Sequence, residues 1–272
     1  MRKKFGELSK AEVATNPNSY VLLGDISVGM FMDKDDNLPE RVFNMGIAEQ
    51  AMVGFGAGLS TAGGNVIIHT IAAFLVERAF EQIKLCCSYN NAKLTLISAN
   101  GPYDYDKLGP THHCPSDVSV LSTLPNFNIR LPATVEDVEE AFKDAMAGER
   151  STYIRLTSRA AKVDNYTRIN NKWKRINGTD EDIAVVCIGE SLTFQLTENI
   201  ESKSSVYWTQ DPSATLPEEL LKYKTIVILE PYTVQQIQVP DFLSDKRILR
   251  KTFGKEHNKI MEKNMGWKDF WL

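Results

Sequence analysis

Residues 41–70 read RVFNMGIAEQAMVGFGAGLSTAGGNVIIHT, a helix-length run of small residues followed by a β-branched apolar run. The first part predicts a helix from about Ile47 to Thr61. Ala48, Ala51, Gly54, Gly56, Ala57 and Gly58 leave it little side-chain volume. Each glycine costs roughly 1 kcal/mol of helix propensity against alanine, so close approach to a partner helix or a ligand has to offset them. The second part, VIIHT at 66–70, predicts a buried strand, and similar runs lie on either side: YVLLG at 20–24, LTLIS at 94–98, FNIRL at 127–131 and TYIRL at 152–156. Helix-sized stretches separate most of them. Thr134 opens one, TVEDVEEAFKDAMA, with Asp137 at the capping-box position and an apolar stripe of Val135, Val138, Phe142 and Ala145. Residues 74–87 read as another. Alternating strands and helices predict an α/β fold with a mostly parallel sheet covered by helices.

After Arg159 the pattern weakens. Residues 161–180 are polar, locally basic and weakly periodic, and predict a linker. A second α/β set follows, with DIAVVCIG at 182–189, a helix near 191–202, SVYW at 205–208 and TIVILE at 225–230. The expectation is a first domain over 1–160 and a smaller one over 181–272. The 272 residues carry 31 Lys and Arg against 35 Asp and Glu, a net charge of −4, which argues against a general nucleic-acid binder. No apolar run approaches a membrane span. Cys86, Cys87, Cys114 and Cys187 form neither a zinc pattern nor a disulfide framework. Reduced thiols and a basic start without a following apolar stretch predict a cytoplasmic protein.

Glu49 is the one acid in 41–64. It is either a solvent-facing carboxylate at a helix start or a partly buried group with a proton-transfer task. LGPTHHCPSD at 108–117 predicts an ordered loop, bracketed by Pro110 and Pro115. Neither His69 nor His257 stands at a metal-ligand spacing from His112 and His113, so a positioned acid–base or hydrogen-bonding histidine is the better reading. Arg78 lies in a mostly apolar helix and is either an ion-pair partner or a ligand contact. Arg155 and Arg159 end the last strand of the first domain, where α/β sheets often place ligands. A guanidinium there suits a phosphate or carboxylate.

GIAEQ at 46–50, FLVERAFEQI at 74–83, GPTHH at 109–113 and LPNFNIRLPAT at 124–134 together resemble the transketolase superfamily. More closely, they are similar to the pyrimidine-binding domain of transketolase and of deoxyxylulose-phosphate synthase. The resemblance covers roughly residues 15–160, and 181–272 looks like an abbreviated C-terminal domain of the same enzymes. It implies thiamine diphosphate as cofactor, with Glu49 bonding to N1′ of its aminopyrimidine. It implies that His112 steadies oxygens of the sugar, and that Arg159 falls near the arginine holding a sugar phosphate. Arg78 matches an arginine of the synthase-like branch. Phe74 stands for the aromatic against the pyrimidine, although the family's phenylalanine falls nearer Leu75.

Two departures shape the functional expectation. Leu108 stands where the family carries an aspartate that contacts a substrate hydroxyl, so either the substrate differs at that carbon or Asp104 or Asp106 compensates. The GDG-containing diphosphate-binding domain has no counterpart here; GDI at 24–26 belongs to the first strand. The resemblance therefore implies the pyrimidine-domain subunit of a split transketolase. It would move a two-carbon ketol unit from a ketose, taken as phosphorylated, to an aldehyde. An N-terminal transketolase subunit would supply the diphosphate site and its Mg2+ or Ca2+, in a two-plus-two heterotetramer, with no metal ligands in this chain. The alternatives are a synthase-like carboligase that decarboxylates pyruvate, a 2-oxoacid dehydrogenase β subunit, and a non-catalytic regulatory or scaffold subunit. Trp267 and the terminal FWL at 270–272 are candidates for local packing or an interface.

Overall fold

The computed structural model describes residues 1–198, 203–230 and 237–252, so Trp267, residues 270–272 and His257 lie outside the described residues. Helix α1 (Arg2–Thr15) leads into β1 (Ser19–Leu23), β2 (Val42–Asn44), α2 (Glu49–Thr61) and β3 (Asn65–Ile71). The expected helix at 74–87 is not regular. A π-helical turn (Ala73–Arg78), one α-helical turn, α3 (Phe80–Ile83), and a second π-helical turn (Lys84–Tyr89) follow one another. Then come β4 (Leu94–Ala99), α4 (Asp117–Leu121), β5 (Phe127–Arg130), α5 (Val135–Ala147) and β6 (Ser151–Arg155). These strands form a sheet in the order β2-β1-β3-β4-β6-β5, with every pairing parallel.

Helix α2 shows why this sequence packs as it does. Glu49, Met52, Val53, Gly56 and Ala57 form its buried stripe. A Cβ on Gly56 would come within 2.9 Å of Ile68 Cδ1 and 3.2 Å of Leu22 Cδ1, so glycine lets the helix lie directly on the sheet. Met52 is fully buried there, a contribution of about 1.5–3 kcal/mol. Gly54 and Gly58 face the other way, with no atom within 4 Å of where a Cβ would sit. The two sets of glycines therefore answer to different partners. At α5 the expected capping box forms: Thr134 Oγ1 accepts from the Asp137 amide, and Asp137 Oδ2 accepts from the Thr134 amide, each at 3.1 Å.

The second sheet contains β7 (Thr167–Arg168), β8 (Lys174–Ile176), β9 (Ile183–Ile188), β10 (Ser205–Thr209), β11 (Thr225–Glu230) and β12 (Arg247–Thr252), with α6 (Ser191–Glu198) following β9. Its order is β12-β11-β9-β10-β8-β7; the first four are parallel, and β8 and β7 are antiparallel. The stretch expected as a linker, 161–180, is thus corrected: it supplies the two edge strands of this sheet. Their periodicity is weak because both are short, β7 exposed and β8 made of two basic residues and one isoleucine. Lys174 of β8 pairs with Asp137 and Glu140 of α5, which ties that edge to the first domain. Burial pushes the Lys174 ammonium down, but the two carboxylates outweigh it and hold it above its ordinary value.

The domains also meet at Gly189. Its φ is +56°, and a Cβ there would lie 2.8 Å from Leu131 Cβ and 2.9 Å from the Leu131 carbonyl oxygen. Glycine is required on both counts. Among the described residues, no helix is long and apolar enough to cross a membrane.

Candidate functional site

The chain leaves β1, forms β2 on one side of it and returns to β3 on the other. The C-terminal ends of β1 and β3 therefore bound a topological switch point, where open α/β sheets leave a crevice for a ligand. Gly24 follows β1 there. A Cβ on it would sit 2.7 Å from Thr70 Oγ1, so only glycine allows this approach. The Thr70 hydroxyl lies 3.5 Å from the Gly24 carbonyl and 3.4 Å from Glu49 Oε1.

Glu49 is 1% exposed, which excludes the solvent-facing reading of this residue. It opens α2, where the helix dipole favours an acid, and heads the stripe that packs on the sheet. Arg78 Nη1 donates to Glu49 Oε2 at 2.7 Å. The same guanidinium lies over the Phe74 ring, 4.2 Å from its centroid. The His112 ring meets Phe74 edge-on at 5.1 Å and Tyr105 at 5.9 Å. Thr111 Oγ1 stands 3.0 Å from His112 Nδ1, leaving Nε2 as the ring's other hydrogen-bonding position. Glu49, the Phe74–Arg78 turn and His112, far apart in sequence, thus form one continuous chain of contacts.

The π-helical turn matters here. Leu75 is fully buried, while Phe74 stacks with Arg78 four residues later. A π-turn absorbs an additional residue in a helix, and such turns concentrate at functional sites. It places Phe74, not Leu75, beside His112.

Arg159 stands apart from this chain of contacts. Its Nε lies 3.8 Å from Asp104 Oδ1. Asp104 Oδ2 accepts from the Gly101 amide at 2.7 Å, the Thr157 hydroxyl at 2.9 Å and the Ser158 amide at 2.8 Å. Asp104 Oδ2 therefore holds two loops together, while among the described residues Oδ1 meets only the Arg159 guanidinium. The side chain of Asp106 lies outside the described residues. Leu108 is 55% exposed, and its amide donates to the carbonyl of Tyr105, so it sits one turn from the ring that abuts His112.

Sequence reasoning missed several groups around the site. Asp117 and Tyr153 are fully buried, and no local pattern marks either as special. The Asp25 amide donates to Asn44 Oδ1 at 3.1 Å, and the Asn44 amide group returns a bond to Asp25 Oδ1, closing the crevice beside Gly24. His69 is buried between Ser27 and the Ile97 carbonyl; the positive φ of Ser27, +59°, is visible only in three dimensions.

Chemically, the site offers a buried carboxylate, an aromatic face and an imidazole on one wall. An aminopyrimidine needs an acceptor for a ring N–H and a flat surface to stack on, and Glu49 and Phe74 have that chemistry. Glu49 Oε1, whose contact with Thr70 is long, is the oxygen with capacity to spare. Among the described residues, no group of three or more His, Cys, Asp or Glu side chains could hold a metal ion.

Comparison with known proteins places the chain among relatives. Residues 1–163 match the family model described as transketolase, pyrimidine binding domain. An uncharacterized 33.6 kDa protein in the fasciation locus of Rhodococcoides fascians is 32% identical over 164 residues, which cover 60% of this chain and 53% of that protein. The second subunit type of the apulose-4-phosphate transketolase of Phocaeicola vulgatus is 31% identical over 186 residues, 66% of this chain and 56% of that one. The chain thus spans about half the length of the curated relatives it matches. A solved structure described as a split gene transketolase, inactive beta4 tetramer, superposes with a TM-score of 0.75 at 22% identity, over 99% of this chain and 92% of that one.

Proposed function

Because the chain belongs to the transketolase pyrimidine-binding domain family, we propose that it is one subunit of a split, thiamine-diphosphate-dependent transketolase. A partner chain carries the diphosphate-binding domain and its Mg2+ or Ca2+. The observation that carries this reading is Glu49: a carboxylate 1% exposed, at the head of a core-facing stripe, in one chain of contacts with an aromatic ring and an imidazole. Arg78 pairs with Oε2, but Oε1 has only the long contact with Thr70, and a buried acid with an oxygen to spare supports a task for it.

Thiamine diphosphate, when bound, supplies the carbon nucleophile and electron sink that two-carbon transfer requires. The chain's own residues do the rest. Glu49 Oε1 holds a proton at N1′ of the aminopyrimidine, and Phe74 gives that ring its apolar face. His112 hydrogen-bonds oxygens of the sugar, and Arg159 meets its phosphate at the end of the segment following β6. Leu108 cannot accept from a hydroxyl, so either the preferred substrate is deoxygenated or inverted at the carbon nearest it, or Asp104 or Asp106 takes that hydrogen bond. The outward face of α2, with Ala51, Gly54, Phe55 and Gly58, together with Ile47 just before it, accepts the partner chain. The assembly is a two-plus-two heterotetramer in the cytoplasm, and the boundary between domains falls near residue 160.

The test is Glu49→Gln in the complex assembled with its partner. Loss of the proton position predicts a fall in ketol transfer of at least about a hundredfold, with the melting temperature of the chain little changed. Unaltered turnover would remove Glu49, and with it the reading, from the chemistry. Offering pyruvate in place of a ketose, and measuring carbon dioxide release, separates transketolase from synthase-like carboligation.

A further inference from the structure

The segment that carries His112 is fastened at both ends to the same place, the C-terminal end of β6. At its start, Asp104 receives Thr157 and Ser158. At its end, Asp117 receives Arg155 Nη1 at 2.7 Å on Oδ1 and the Tyr153 hydroxyl at 2.7 Å on Oδ2. Since Tyr153 donates to the carboxylate, its oxygen accepts from Ser98 Oγ at 2.8 Å. Arg155 and Asp117 side chains are both fully buried.

The same guanidinium reaches the second domain. Arg155 Nη2 donates to both oxygens of Glu190, at 2.8 and 3.0 Å. Glu190 follows Gly189, the residue whose positive φ and contact with Leu131 bring the end of β9 against the first domain. Burial raises the Glu190 carboxyl above its ordinary range, with Arg155 pulling it back down. Replacing a buried ion triad with apolar side chains is often neutral or stabilising, so stability alone is a weak reason to keep this one.

We infer that Arg155 and Glu190 are positioning residues through which the second domain holds the His112 segment, residues 101–117, in its working place. The guanidinium is the bridge: one nitrogen orders the start of α4, directly after the histidine loop, and the other is fixed by Glu190. This gives the second domain a function in the site without a residue in it. That functional consequence rests on the reading of His112 as a substrate contact; the mechanical link does not.

Hydrogen exchange on the full chain, alone and in complex with its partner, tests the link. Glu190→Ala removes the second domain's hold on Arg155 and leaves the Asp117 contact in place. Exchange in peptides covering 101–117 should accelerate about tenfold or more, while those covering α2, β1 and β3 keep their protection. Glu190→Gln keeps an oxygen for the guanidinium and should restore most of the lost protection, whereas Glu190→Met, of similar volume but with no carboxylate or amide oxygen, should not; the pair separates a specific contact from a filled volume. In the complex, Glu190→Ala should raise KM for the sugar several-fold while the Kd for thiamine diphosphate stays at the wild-type value. Unchanged exchange over 101–117, or an equal rise across the whole first sheet, overturns the inference. Accelerated exchange in a complex that transfers no ketol group even as wild type leaves the link standing and removes the proposed function instead.

Discussion

At the scale of single residues, burial and tautomer decide which groups can act. His69 illustrates this with a fully determined hydrogen-bond chain. The Ile97 carbonyl can only accept, so Nδ1 carries the proton, at 2.8 Å. Nε2 then accepts from Ser27 Oγ at 2.9 Å, and that hydroxyl in turn accepts from Arg2 Nη2 at 2.9 Å. Burial drives the imidazole down to about 3; the carbonyl opposes this and the Arg2 charge adds to it. The folded value lies below the unfolded one of about 6.5, so between these values the unfolded chain binds the additional proton. Stability from this site is complete above about pH 6.5 and is lost as pH falls towards about 3. Urea unfolding between about pH 7 and pH 5 should show a loss of up to about 1.4 kcal/mol per pH unit. His69→Gln should flatten that slope; a slope unchanged by the substitution would assign it to other groups. The contrast with Glu49 is instructive. Both are visible in the sequence as polar residues in apolar runs, but nothing there distinguishes a histidine sealed into the core from a carboxylate at the edge of a crevice. The distinction comes from Ser27 and Ile97 in one case and Arg78 and Thr70 in the other, all distant in sequence or brought close only by the fold.

At the scale of elements, α2 carries two messages on its two faces. Gly56→Val should destabilise the isolated chain by about 1–3 kcal/mol, since Ile68 and Leu22 leave no room for the side chain. Gly58→Leu has open space on the outer face and should leave thermal unfolding of the isolated chain unchanged or slightly improved. If the outer face receives the partner, the same Gly58→Leu should abolish complex formation in gel filtration; a complex of wild-type size would free that face from the proposed role. Much at this scale is legible in advance. The strands at 19–23, 65–71, 94–99, 151–155 and 225–230 are runs buried on both faces, and their β-branched composition announces them. The capping box at Thr134 is equally plain, because its chemistry is local. What stays hidden lacks a local signal. β2 has three residues, β7 has two, and β12, RILRKT, is a charged edge strand. The π-turns at Ala73–Arg78 and Lys84–Tyr89 are hydrogen-bond shifts within a helical pattern, and a 3.6-residue periodicity passes over them.

At the scale of the whole molecule, the second domain is more than an appendage. Its sheet recruits β7 and β8 from the expected linker, Lys174 returns to α5, and Glu190 reaches through Arg155 to the histidine segment. The site itself is one wall: Glu49, Arg78, Phe74 and His112 form one chain of contacts, and among the described residues no group of three or more His, Cys, Asp or Glu side chains could hold a metal ion. The proposed function puts a second chain opposite this wall. The decisive measurement is native mass spectrometry of the protein purified from its source organism in the presence of magnesium and thiamine diphosphate. The expected result is an assembly that pairs this chain with a second, different polypeptide and retains the cofactor, and that loses the cofactor when Glu49 is replaced by Gln. A homo-oligomer of this chain without partner or cofactor would contradict it.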